Sequence, residues 1–247
     1  MTTRMLILVF GVLFSFSSYA DLKADLEAAM ASDIRSEAEV ARDANRKPIE
    51  TLTFFGLKED MHVLELLPGG GWYTKLLAPV LAENGKLSVA VGTQNVANLV
   101  EAGTLTDVNV VDVDMSSFSR AEGERRFSVP DLKIDVKNVD LALTFRNLHN
   151  LTEDGRRVMN EAVFKALKKG GLYGVVDHTR RHMQADNSEN WRRMDPVLMI
   201  KEIEATGFEF VDFSDLHYRY DDELEYEVGR RSVSGNTDRF TLLFRKP

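Results

Sequence analysis

The sequence predicts an α/β fold: a doubly wound, mostly parallel seven-stranded sheet that ends in a C-terminal antiparallel hairpin. Three observations carry this. Five apolar runs of strand length alternate with helical patterns along the chain. Between the first run and the first helix of that series stands ELLPGGGWYT, from Glu65 to Thr74, where an acid, a proline and three glycines interrupt the pattern. Two alternating segments, 209–213 and 239–244, then read as paired strands, with Ser234, Gly235 and Asn236 near the turn. In such a sheet the ligand crevice lies at the C-terminal ends of the strands.

Taken in order, residues 1–20 form a unit of their own. Arg4 gives a positive start, 5–14 is an apolar core, and Ser18 and Ala20 place small residues at −3 and −1 of a cut before Asp21. That is the pattern of a signal peptide, and its apolar run is shorter than the roughly 20 residues a membrane span needs. The mature chain is expected to start at Asp21 and to be exported, most simply to a bacterial periplasm. Residues 21–47 read as an N-terminal helical extension, its helix over 21–45 stopping before Pro48, where the main domain, 48–247, begins.

MHVLELL, from Met61, is a continuous apolar run of the kind buried on both faces of a parallel sheet. Residues 72–82 follow as a helix with Trp72, Leu76, Leu77, Val80 and Leu81 on one face. Strands are expected at 86–91, 108–114, 139–145 and 172–177, and a helix near 96–102. The stretch 116–137 reads as loop with one helix. Residues 152–169 read as a helix with acids in its first turn and lysines in its last, suiting the helix dipole. Asp195 and Pro196 open a helix that Gly207 ends.

Composition narrows the function. The 247-residue chain is 44% hydrophobic, enough for one large domain. Its formal net charge is −8 with no basic block, which argues against a nucleic-acid partner. It has no cysteine, so disulfides, thiolate nucleophiles and cysteine-ligated metals are excluded.

Glycines between a strand and a helix let backbone N–H groups approach a ligand. The spacing is wrong for a dinucleotide fingerprint, because Gly69, Gly70 and Gly71 are followed by Trp72, Tyr73 and Thr74 and the third glycine is missing. No Gly-Lys-Ser/Thr follows, so a phosphate loop is also a poor fit. Read as acid, two residues, proline and glycine-x-glycine, the stretch resembles the first motif of class I S-adenosylmethionine-dependent methyltransferases. VDLALTFRNLHN from Val139 is similar to that family's fourth strand and its following loop, and ALKKGGLYGVVD from Ala166 to its helix end and fifth strand. Asp114 stands where the family has an acid near the adenine. Arg42-Asp43, Arg46-Lys47-Pro48, Phe145-Arg146-Asn147 and 237–240 are further similar to a group of exported predicted methyltransferases. The resemblance spans 42–247. Two positions depart from it: Leu67 stands for the usual first glycine, and the second strand ends at Gly92-Thr93-Gln94 without the acid that takes the ribose hydroxyls.

The resemblance implies a Rossmann-like methyltransferase fold, the cofactor S-adenosyl-L-methionine and a small-molecule acceptor. It implies cofactor contacts from Glu65, Pro68, Gly69, Gly70, Gly71, Asp114, Phe145, Arg146 and Asn147. Glu65 also stands out unaided, since a carboxylate at the end of a buried strand needs a partner. His149, Asp177 and His178 follow strands and face the crevice, so they are the candidate catalytic groups, His149 as a general base. With His182 they offer imidazole and carboxylate donors of the kind that suit zinc or iron, but two histidines at this spacing are common and no metal is expected. Trp72, Tyr73 and Tyr226 read as core or surface aromatics. The rival readings are a non-catalytic periplasmic binding protein that keeps the fold, and a nicotinamide oxidoreductase.

Overall fold

The computed structural model of the protein describes residues 13–247, with side chains from Leu22 onward. Residues 1–12, which hold the charged start and most of the apolar run of the expected export signal, lie outside the described residues. The strands are β1 (His62–Leu66), β2 (Lys86–Ala90), β3 (Val108–Val110), β4 (Val139–Phe145), β5 (Leu167–His178), β6 (Glu209–Ser214) and β7 (Arg239–Arg245). They form one sheet in the order β3-β2-β1-β4-β5-β7-β6. β1 to β5 run parallel, and β7 is antiparallel to both β5 and β6. The doubly wound, seven-stranded reading holds, and β6 and β7 pair as expected. Their connection is the long segment 215–238 rather than a tight turn.

The helices are α1 (Leu13–Met30), α2 (Glu37–Val40), α3 (Asp43–Arg46), α4 (Pro48–Phe54), α5 (Thr74–Leu81), α6 (Gln94–Glu101), α7 (Glu153–Ala166) and α8 (Pro196–Glu204). Two apolar cores cover the two faces of the sheet. One joins Leu22, Leu26, Phe55, Leu76 and Leu77 to Val63, Val89 and Leu143. The other joins Met159, Val163, Met199 and Ile203 to Leu64, Leu66 and Val175. Period-2 alternation along β1 thus sends Val63 to one core and Leu64 to the other, which explains its unbroken apolar run.

Four expectations are corrected. The single helix expected over 21–45 is broken after Met30. There the Arg35 guanidinium turns back to the Met30 carbonyl (2.7 Å) and pairs with Asp43, while Ser36 starts α2 by donating its N–H to Glu39 (2.8 Å). No helix forms in 116–137. Leu132, Ile134 and Val136 are buried instead, alternating with exposed residues, so an extended segment covers the sheet. β3 stops at Val110, because only 108–110 pair with β2. The helix expected to reach 169 ends at Ala166. Leu167 already pairs with Val139, and the two lysines and two glycines form an irregular start to β5.

The described residues contain no helix long and apolar enough to cross a membrane. α1 packs on α5 and α4, and its continuity through Ala20 and Asp21 places the expected cut inside a helix.

Candidate active site

At the C-terminal end of β1 the chain must turn from strand to helix in a few residues. Leu67 takes φ 53, Gly69 φ 59 and Gly71 φ 78. Leu67 stands in the left-handed region where glycine is usual, and two other strand ends do the same: Val91 after β2 (φ 66) and Arg146 after β4 (φ 60). Such strain persists only where surroundings enforce it, and it concentrates at functional sites. Here Asn147 is one enforcer, donating its Nδ2 to the carbonyls of Leu67 (2.9 Å) and Phe145 (3.0 Å).

The three glycines divide by task. A Cβ on Gly69 or Gly70 would meet nothing within 4 Å, so their backbone is open. One on Gly71 would lie 3.3 Å from Val96 and 3.5 Å from Leu99. Gly71 is therefore a packing glycine that seats α5 against α6, and not part of the open turn.

A cavity of about 210 Å³ opens beside this turn. Of the residues expected to hold a cofactor, Glu65, Pro68, Gly69, Gly70, Phe145, Arg146 and Asn147 line it. Asp114 does not; it is exposed and accepts the Ser116 N–H (2.8 Å). A larger hollow of about 480 Å³ sits between α1 and α5, beside the loops that enter β1 to β3. It is at the wrong end of a parallel sheet for a ligand site, so the smaller cavity is the candidate.

Glu65 is 2% exposed and accepts the Thr74 hydroxyl at 2.6 Å. Burial pushes its carboxyl up to about 7, moderated by the Thr74 bond and by Arg46. The cavity wall is aromatic. Tyr73 stacks on Phe145 with centroids 3.6 Å apart, and Trp72 meets Tyr73 edge-on. The Arg46 guanidinium lies over Trp72, 4.3 Å from the ring centroid. Trp72 donates its indole N–H to the Glu39 carbonyl (2.9 Å).

Glu39, Arg42 and Arg46 thus reach the cavity from the N-terminal extension, and sequence reasoning missed them as site residues. Their segment is fastened from the far end of the chain. Arg239 donates to the Asn45 carbonyl (2.9 Å), and the Arg46 carbonyl accepts from Thr51 (2.9 Å) and lies 3.0 Å from His217 Nε2. His217 is buried in this contact, and burial presses its pKa down to about 4.

The nucleoside side is less furnished. Gln94 is turned to Asn98 (2.9 Å), the Gly92 N–H points at Met115 Sδ (3.1 Å), and Asn95 reaches the Gly69 carbonyl (3.3 Å). No carboxylate follows β2.

His149, Asp177 and His178 come together, but none of them lines the cavity. His149 Nδ1 lies 2.6 Å from Asp177 Oδ1, and its backbone N–H reaches Oδ2 at 3.1 Å. Asp177 is fully buried, and its charge is felt by Arg146. His178 is 2.8 Å from the Thr237 hydroxyl, and its pKa is pressed well below the usual value by burial and then by His149. Asp177 accepting from Nδ1 would leave His149 Nε2 as the proton acceptor, the tautomer that general-base work requires. His182 pairs with Asp195 instead, and the described residues contain no cluster of three metal-ligating side chains.

No sequence-family model matches this chain, and no curated protein matches it. Solved structures do. A SAM-dependent methyltransferase from Aquifex aeolicus superposes with TM-score 0.59 at 16% identity, covering 91% of this chain and 98% of that one. The cyclase SpnF gives 0.58 at 18% identity with 99% of both chains covered. The glycopeptide N-methyltransferase MtfA gives 0.53 at 17% identity, over 83% of this chain and 97% of its own. The protein has their fold. Since one of the three is described as a cyclase, the fold alone does not fix the chemistry.

Proposed function

We propose that the protein is an S-adenosylmethionine-dependent methyltransferase acting on a small molecule. The observation that carries this reading is the pairing, at the end of β1, of an open Gly69-Gly70 turn with a buried carboxylate. Glu65 is the group that would receive the methionine ammonium, a cation that would relieve the burial pressing it toward protonation. The Gly69 and Gly70 backbone forms the cradle, and Phe145 and Tyr73 supply an apolar wall. When bound, the cofactor supplies an electrophilic methyl group on a sulfonium. The protein's own part is alignment and water exclusion, for which stacked aromatics and strained, over-determined turns are suited. His149, its tautomer set by Asp177, is the group beside the cavity able to take a proton from an acceptor.

We further propose export. The order of charge, apolar run and small-residue site in 1–20 supports a mature chain beginning at Asp21, which retains Leu22, Leu26 and Ala29 for packing on α5. N-terminal sequencing of the native protein should begin with Asp-Leu-Lys, and an intact Arg4 segment would refute cleavage.

The decisive experiment is ligand-induced stabilisation. S-adenosylmethionine or its demethylated product at 100 times Kd should add about 2.7 kcal/mol. For a domain of this size the melting point then rises by roughly 5–10 °C. NAD should give no shift. If millimolar cofactor and product both leave the melting curve unmoved, the methyl-transfer reading falls, and the non-catalytic binding protein replaces it.

A further inference from the structure

Three arginines line the 210 Å³ cavity: Arg42, Arg46 and Arg146. Arg46 is 6% exposed. Among the described residues, none of the three guanidinium groups has a carboxylate at ion-pair distance or a hydrogen-bond acceptor, although Arg146 feels the charge of Asp177 and Arg46 that of Glu65. Arg239 stands behind them and donates to backbone carbonyls of Asn45 and Gly235. Burial, followed by the charge of Arg146, presses Arg46 down to about 9 and Arg239 to about 10. The carboxylates on the cavity answer this charge only in part. Glu39 is held by Lys75 at 2.9 and 3.0 Å, and Glu65 is held by Thr74 and driven toward its neutral form.

Burying the Arg46 guanidinium without an ion-pair partner, beside a half-buried Arg146 and an exposed Arg42, is costly, and proteins retain such an arrangement where a ligand supplies the missing charge. The excess is local, because the chain as a whole carries net charge −8. The cofactor of the proposed function does not cancel it. Its amino-acid end brings one carboxylate together with an ammonium, and its sulfonium adds a further positive charge. That single carboxylate, offset by the ammonium and the sulfonium, does not cancel three guanidinium groups.

We propose that the methyl acceptor is a small oxyanion, a carboxylate or phosphate ester, whose anionic group is held by Arg42 and Arg146 with Arg46 behind them. This rests on the methyl-transfer reading. Planar guanidinium forks suit both oxyanions, each contact being a charge-assisted hydrogen bond.

The test uses the full mature chain saturated with S-adenosylhomocysteine. Inorganic phosphate and acetate are titrated separately by calorimetry, with sodium chloride at matched ionic strength as control. At least one of the two anions should bind alongside the product, and the stronger binder identifies the acceptor's class. Arg42→Gln and Arg146→Gln should each weaken that binding by tenfold or more. Arg42 is exposed, so its variant should fold normally. If phosphate, acetate and S-adenosylhomocysteine exclude one another, the arginines serve the cofactor's own carboxylate and the acceptor proposal is overturned. Unchanged anion affinity in both variants overturns it too. If S-adenosylhomocysteine does not bind but phosphate does, and needs Arg42, the oxyanion site is supported while the methyl-transfer reading fails.

Discussion

Near the C-terminal ends of the strands two buried arginines are treated in opposite ways. Arg193 is fully buried and fully answered. It forks onto Asp222 at 2.8 and 2.9 Å, and it donates to the carbonyls of Tyr226 (2.8 Å) and Thr179 (3.2 Å). Arg46 is nearly as buried, has Trp72 and Tyr73 for neighbours, and has no acceptor among the described residues. The first arrangement ties segment 215–238 across the end of β5. The second holds a charge in readiness at a cavity. Burial alone therefore does not separate a structural charge from a functional one; the state of its partners does.

The largest effect should come from breaking the answered charge. Arg193→Met leaves Asp222 buried and unpaired, which costs about 3–5 kcal/mol. The melting point should fall by roughly 10 °C. A fall under 2 °C would mean that Asp222 finds a replacement partner and that the two arginines differ less than their geometry suggests.

Glu65→Gln comes next and has a pH signature. The folded carboxyl titrates near 7 against a usual 4.5. For an acid this raised value means that the folded state binds the extra proton. Its cost to stability is absent below pH 4.5, grows as pH rises toward 7, and is constant above. The shift corresponds to a cost on the order of 3 kcal/mol at pH 8. Denaturant titrations should find the Gln variant more stable than wild type at pH 8 and equal to it at pH 4.5, while it loses cofactor stabilisation. Equal stability at both pH values would show that Arg46 and Thr74 already satisfy the carboxylate.

Asn147→Ala removes the amide that holds the Leu67 and Phe145 carbonyls. About 1–3 kcal/mol should be lost, since two acceptors go unmet. That loss distinguishes a residue that shapes the turn from one that only touches a ligand, and thermal melts without ligand measure it.

The sequence disclosed these regions unevenly. β1, β4 and the following turns were legible because unbroken apolar runs and the glycine cluster are local signals. Glu65, Gly69 and Gly70 were found that way. The alternation of Leu132, Ile134 and Val136 was also present, but it marks an extended cover without a strand partner, so a helix was expected in its place. Gly71 looked like its two neighbours, and only its distance to Val96 shows a packing role. Arg42 and Arg46 were visible as residues but not as site residues. What brings them to the cavity is the stacking of Arg46 on Trp72 and the grip of Arg239, His217 and Thr51 on the backbone of 45–46. Those contacts join positions up to nearly two hundred residues apart, and no local periodicity encodes them.

The smallest stability effect should belong to Arg46, and it is the sharpest test of the comparison. Arg46→Met removes a cation stacked on Trp72, worth about 0.5–2 kcal/mol. It also removes a buried charge: burial presses its pKa to about 9, so the group stays protonated at neutral pH but its charge costs more than an exposed one would. These terms oppose each other, and an apolar group of similar volume often replaces a buried charge without loss. The net change at pH 7 should stay within about 1 kcal/mol, against the several lost at Arg193. The two substitutions should separate again when anion is added. Wild type and Arg193→Met should both gain stability from phosphate at matched ionic strength, and Arg46→Met should gain much less. A melting point that falls for Arg46→Met as far as for Arg193→Met, with phosphate still stabilising it, would mean that Arg46 is a structural residue and that the cavity's charge is not kept for a ligand.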